Sequence, residues 1–297
     1  MMAGCFRVLA ARDCHVGNWN IVRTSQNNAT GQVSILGCGW LGLPLASRLI
    51  AEGFRVKGST STAEKRSRLE DVGIAAFQIQ LDEDAINGDV IKFLEGSAVL
   101  IIDIPPGLRR DPASDFTEKM RRMVSAVEAS ATKHSIFISS TSVFEDTTDF
   151  PTYTEADPPN GVSETARQLA IVEAMLMDST HFTTTILRFG GLCGPGRNPR
   201  NFLAGSSSIS NPDAPVNLIH QHDCIALIHR IMARQAWGAI FHGVYPDHPK
   251  KRTYGSFPTS NEVIREDRSS STKGSVGKIV SSGITQELLK FQFRHKP

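Results

Sequence analysis

The chain has 297 residues, 40% of them hydrophobic and 21% charged, and its 32 basic and 30 acidic side chains leave a formal charge of +2. That length and apolar fraction can bury a large core, which excludes wholesale disorder, while the near-neutral balance offers no field for nucleic acid. Five cysteines (Cys5, Cys14, Cys38, Cys193 and Cys224), odd in number and without C-x-x-C spacing, predict neither a disulfide framework nor a metal site.

Residues 1–31 form a tail in which Arg7, Arg12 and Arg23 face only Asp13, amid Ser, Asn and Thr. This composition fits a transit peptide or a disordered N-terminus, and so a location in an organelle matrix or in the cytoplasm. The most apolar window follows at 33–47. It contains Gly37, Gly39, Gly42 and Pro44 and meets Arg48 well short of the roughly 20 residues a membrane span needs.

From there, short apolar runs alternate with longer amphipathic stretches. Strands are predicted at 33–36, 54–58, 74–79, 98–104, 135–139 and 183–187, and helices at 41–52, 63–71, 113–133 and 162–177. Repeated strand–helix–strand steps make right-handed parallel crossovers, so the expected fold class is α/β, a Rossmann-type doubly wound parallel sheet over residues 32–189. Leu41, Leu45 and Leu49, four apart, would face the sheet. Ser61-Thr-Ala-Glu64 has capping-box spacing, and Gly73 suits the residue after a helix. Beyond about 188 the pattern loosens. A strand at 216–219, a helix at 223–234 led by Asp223 as its cap, and a strand at 239–244 give a smaller C-terminal lobe, 190–297, with one strand returning to the sheet. Residues 265–278, rich in Ser and charge, read as a surface loop.

The strongest chemical signal is Gly37-Cys-Gly39-Trp40-Leu41-Gly42, directly after the first strand and opening the first helix. In a dinucleotide fold the first glycine allows a tight turn, the second lets the backbone approach a pyrophosphate, and the third lets helix and strand pack closely. The helix N-terminus then offers N–H groups to the phosphates. At the end of the second strand, where a carboxylate would bond the adenosine ribose of NAD, stand Lys57, Ser59, Thr60 and Thr62, then Lys65 and Arg66. Hydroxyls and cations favour the 2′-phosphate of NADP, with NAD as the alternative, unless Lys65 and Arg66 are only a solvated helix face. Cys38, within the loop at a helix N-terminus, is a candidate low-pKa thiol whose oxidation would block the cofactor.

Further along, Ile136-Phe-Ile-Ser-Ser-Thr-Ser-Val-Phe144 ends a strand in hydroxyls, and Leu187-Arg-Phe-Gly-Gly-Leu-Cys-Gly-Pro-Gly196 follows the next. Together with the glycine loop and Val216-Asn-Leu-Ile-His220, these segments resemble the extended short-chain dehydrogenase/reductase superfamily, the NAD(P)-dependent epimerase/dehydratase group, and within it the YeeZ-like branch. The resemblance covers the chain from about Gln32 to its end. It implies an epimerase/dehydratase-like or reductase-like protein acting on a small polar substrate, sugar- or nucleotide-like, as a monomer or a homodimer joined through helices such as 113–133 and 162–177.

The superfamily's acid–base device, a Tyr-x-x-x-Lys pair, is missing. Four residues after Tyr153, Tyr245 and Tyr254 come Asp157, Pro249 and Pro258. Alignment of the helix puts Ser163 at the tyrosine position and Arg167 at the lysine position, and a serine hydroxyl is a far poorer acid than a phenol. Ser140, with Thr141 behind it, falls at the catalytic serine position. Its role is a hydrogen bond to the reacting oxygen or ribose, or merely a strand-end cap. Pro105 would pass beneath the cofactor, Asp82 would reach adenine or start a turn, and Arg197, Arg200 and Asn201 would point to an anionic substrate or to solvent. His220 and His222, on alternate positions, could ligate a metal, but no Cys or carboxylate cluster completes a set, so no metal site is expected. The alternative to an enzyme is a non-catalytic NADP(H)-binding redox sensor.

Overall fold

The computed structural model describes residues 31–199, 210–255 and 274–297. Expectations for the tail, for Cys5 and Cys14, for Arg200 and Asn201 and for residues 265–273 lie outside these. In chain order the strands are β1 (Gln32–Leu36), β2 (Arg55–Thr60), β3 (Ala75–Gln78), β4 (Gln80–Leu81), β5 (Ile86–Asn87), β6 (Val99–Ile102), β7 (His134–Ser140), β8 (Thr152–Tyr153), β9 (Thr183–Phe189), β10 (Gly191–Cys193), β11 (Leu218–His220), β12 (Ile240–Gly243) and β13 (Ile279–Val280). The helices are α1 (Gly42–Ala51), α2 (Ala63–Glu70), α3 (Val90–Leu94), α4 (Phe116–Glu128), α5 (Glu164–Met177), α6 (Gln221–Arg234), α7 (Lys251–Gly255) and α8 (Gly283–Leu289).

Seven strands form one parallel sheet in the order β12-β9-β7-β6-β1-β2-β3. The order reverses between β1 and β6, and the crevice at such a switch point is where open α/β sheets bind ligands. Strands β1, β6 and β9 are nearly continuous runs of buried residues, as a sheet covered on both faces requires. One face packs on α1 and α6 through Leu45, Leu49, Leu227 and Ile231, and the other on α4 and α5 through Met120, Val124, Leu169 and Val172. Leu41, Leu45 and Leu49 are all at most 2% exposed, as their spacing predicts. Each such burial contributes roughly 1.5–3 kcal/mol.

The returning strand is β12, which pairs with β9 at the sheet edge. The C-terminal segment also sends β13 to pair with β8, while α8 sets Thr285 against the buried Glu155. Lys278, expected in a surface loop, is instead buried, with its ammonium on the Phe144 carbonyl. The capping box at Ser61 does not form: Thr62 is the N-cap of α2 and makes no side-chain cap bond. Gly73 does adopt φ +81° after that helix. Among the described residues no helix is long and apolar enough to cross a membrane.

Candidate functional site

The three loop glycines serve different purposes. Gly37 has φ +103°, and a Cβ there would lie 2.3 Å from the Asp103 carbonyl oxygen. A Cβ on Gly42 would lie 2.3 Å from the Gly37 oxygen. Both are therefore glycine for packing. Gly39 is exposed, and a Cβ on it would meet nothing within 4 Å, so the fold leaves open space where a pyrophosphate would approach. Around it, Gly37 N–H donates to Ser59 Oγ at 2.9 Å and Cys38 N–H to the Ser59 carbonyl at 2.8 Å. The N–H groups of Trp40 and Leu41 find no acceptor among the described residues. Unpaired donors at a helix N-terminus are an anion site by construction, so the residues present fit a dinucleotide.

Asp103, just past β6, escaped the sequence reading. Its carboxyl accepts the Gly42 N–H, and burial raises its pKa to about 7 against the pull of that bond and of Arg197. Only contact between the β6 end and the glycine loop reveals it, because nothing about an Asp after an apolar run signals a neighbour sixty residues earlier.

Pro195, Arg197 and Gln221 clamp Trp40. Its indole Nε1 donates to the Pro195 carbonyl at 2.7 Å, the Arg197 guanidinium lies 4.4 Å from its ring centroid, and Gln221 Nε2 donates to its backbone oxygen at 2.6 Å. Arg197 is thus a stacking partner of the loop. Cys38 is the reverse of an activated thiol. Burial first, then the Asp103 charge, pushes its pKa up to about 12, so the sensor-thiol expectation falls.

At the end of β2, Ser59 and Thr60 are buried, Ser59 bracing Gly37 and Thr60 Oγ1 facing the Thr62 N–H. Lys57 turns away, its ammonium bonded to the carbonyls of Lys92 and Glu95. Arg66 pairs along α2 with Glu70 at 2.9 Å, whereas Lys65 and Ser61 are exposed beside the strand end. Ser61 and Lys65 are thus exposed at the end of β2, with Thr62 half-buried between them. Pro105 lies exposed beyond β6. Asp82 accepts from Gln80 and Asn87 within the β4–β5 hairpin and starts a turn.

The candidate catalytic residues hold the backbone. Ser140 Oγ accepts from Ser142 N at 3.1 Å, capping the 3-10 turn Thr141–Val143. Ser163 is the N-cap of α5, accepting from Ala166 N at 3.2 Å, which is why it stands where a helix begins. Arg167 is exposed and pairs with Glu164 at 3.2 Å. Beneath Ser140 runs a buried set: Ser139 Oγ donates to Glu173 at 2.5 Å, and Glu173 pairs with Arg188 at 2.7 Å. Arg188 in turn lies over the Phe144 ring. Asp223 does not cap α6, since His220 takes that place, its Nδ1 accepting from His222 N. Asp223 is buried and holds the C-terminal segment instead, accepting from the N–H groups of Arg294 and His295. His295 joins His220 and His222, supplying the third imidazole that the sequence left them without.

A family model described as NAD(P)H-binding matches residues 37–213. The chain belongs to that family. It is 30% identical to protein YeeZ of Escherichia coli strain K12 over 272 residues, which is 89% of this chain and 96% of YeeZ. UDP-glucose 4-epimerase of Thermotoga maritima superposes with a TM-score of 0.70 at 14% identity, over 89% of this chain and 94% of that one. UDP-glucuronic acid 4-epimerase of Bacillus cereus, in complex with NAD, gives 0.67 at 14%, over 89% and 94%. This NAD(P)H-binding relative of YeeZ therefore has the epimerase/dehydratase form of the Rossmann fold.

Proposed function

We propose that this chain binds NADP(H) along the glycine loop and acts as a reductase- or epimerase/dehydratase-like protein on a small polar substrate of sugar or nucleotide kind. The observation that carries the reading is Gly39, the one loop glycine that the fold does not need, beside the unpaired N–H groups of Trp40 and Leu41. These residues would hold the pyrophosphate, and Ser61, Thr62 and Lys65 the 2′-phosphate. Among described residues 55–62 there is no carboxylate to bond a free ribose 2′-OH, which supports NADP over NAD. When bound, the nicotinamide supplies hydride exchange with a carbonyl or alcohol carbon. Ser140 lies at the C-terminal end of β7, where its Oγ still has a proton to donate to a substrate oxygen while accepting from Ser142 N.

A second reading, a non-catalytic NADP(H) sensor, draws support from one fact: Ser140, Ser163 and Arg167 all have structural partners. Exposed Ile171 and Met177 on α5 support a homodimer over a monomer. Fluorescence titration with NADPH and NADH, followed by NADPH consumption with sugar nucleotides, aldehydes and ketones, separates these readings. Tighter NADH binding overturns the NADP assignment. Binding without turnover that is also indifferent to Ser140→Ala favours the sensor.

A further inference from the structure

Three histidines converge at the N-terminal end of α6. His220 ends β11, His222 lies in the first turn of the helix, and His295 arrives on the segment after α8. Their ring centroids are 4.9, 5.0 and 5.3 Å apart, and one nitrogen from each lies within 4.8 Å of the other two. His220 is half-buried, while His222 and His295 are exposed.

Asp223 gives this trio an orientation. Its carboxylate, 1% exposed, uses Oδ2 for the Arg294 and His295 N–H groups, both at 3.0 Å, and Oδ1 for His295 Nδ1 at 2.7 Å. A carboxylate only accepts, so Nδ1 carries the proton and the Nε2 lone pair of His295 is left for another partner. A carboxylate behind a histidine in this way orients the ring and makes it a better ligand. His222 makes no side-chain hydrogen bond among the described residues, so either of its nitrogens is available. His220 has one commitment: its Nδ1 accepts the His222 N–H at 3.2 Å, and ligation gives up that capping bond.

We propose that His220, His222 and His295 form a site for a divalent cation of the zinc class, oriented by Asp223, that ties the C-terminal segment to α6. Three neutral imidazoles and no oxygen ligand suit zinc and its borderline neighbours, and not magnesium or calcium. Zinc–nitrogen bonds of about 2.0–2.1 Å would draw the three nitrogens closer than they now stand, a movement that the exposed His222 ring, which makes no side-chain hydrogen bond among the described residues, supplies by rotation. Gln221, between two of the ligands, is the residue that clamps Trp40, so the site adjoins the glycine loop.

The test uses tag-free, full-length, chelator-treated protein titrated with Zn2+ by calorimetry and with Co2+ by visible absorption. The expected result is one Zn2+ per chain, a tetrahedral Co2+ spectrum and a raised melting temperature. His222→Gln and His295→Gln, at exposed side chains, should each remove the Co2+ spectrum while leaving the circular dichroism unchanged. Asp223→Asn should weaken Zn2+ binding about 10- to 100-fold. Absence of stoichiometric Zn2+ uptake by the wild type, or uptake undiminished in the His222→Gln/His295→Gln double variant, overturns the proposal.

Discussion

Gly37, Gly39 and Gly42 look alike in the motif but differ in what surrounds them. Gly37→Ala sets a Cβ against the Asp103 carbonyl in a left-handed backbone conformation, so it should lower the melting temperature. Gly39→Val enters open space, so its melting temperature should stay near the wild-type value while NADPH affinity falls at least about 100-fold, the expected loss when a ligand's close approach is blocked. Equal losses of stability in the two variants would contradict this division. Asp103 offers a second measurement. Its folded pKa, about 7, is raised from 3.8, so the folded chain holds this proton more tightly than the unfolded one. The carboxyl is harmless below pH 4, destabilises increasingly as pH rises from 4 to 7, and levels off above. Asp103→Asn, whose amide oxygen can still accept the Gly42 N–H, should melt progressively higher than the wild type across that window. The ratio of wild-type to variant NADPH affinity should instead fall as the pH passes through about 7, where the folded carboxyl ionises, since a charged Asp103 repels phosphate.

At the scale of elements, Arg188 on β9 and Glu173 on α5 are the only buried ion pair described in which both side chains are at most 5% exposed. They fix the helix that follows Ser163 against the strand beside Ser140, through Ser139. Removing one partner leaves a buried charge alone, so Arg188→Met should cost about 3–5 kcal/mol in denaturant unfolding. The double variant Arg188→Met/Glu173→Met should recover most of that loss, because the desolvation of both charges disappears together. A double variant as unstable as the single one would show that the pair's partners, and not its charge, set the cost. Elements also show where sequence patterns were readable. The eight expected strands and five expected helices all form, with shifted ends, because most carry apolar runs or periods several residues long. The short pieces β8, β13 and α8 did not announce themselves: two-residue strands and a seven-residue helix have too few positions to display a period.

Over the whole molecule, the C-terminal segment belongs to the core of the N-terminal sheet's surroundings. Leu289 and Phe291 pack into the same cluster as α1 and α6, and Thr285 meets both Glu155 and the His242 N–H. Ending the chain before Ile279 should therefore leave Glu155 and His242 without these partners, and give an aggregating or molten product by near-UV circular dichroism. A truncated chain with native near-UV signal and melting would show that this segment is dispensable.

The sequence by itself determined the α/β class, the parallel crossovers and the position of the glycine loop, because periodicity and glycine spacing act over a few neighbouring residues. It also showed that none of the three tyrosines is followed by Lys four residues later, since that spacing is local too. Only the tertiary structure decided that Gly39 alone among the loop glycines faces open space, that Asp103 lies beneath the loop, that Ser140 and Ser163 act as caps, and that His295 meets His220 and His222. Each of these depends on which distant backbone atoms come within hydrogen-bonding or van der Waals reach, and that is set by the packing of the sheet, not by any run of adjacent residues.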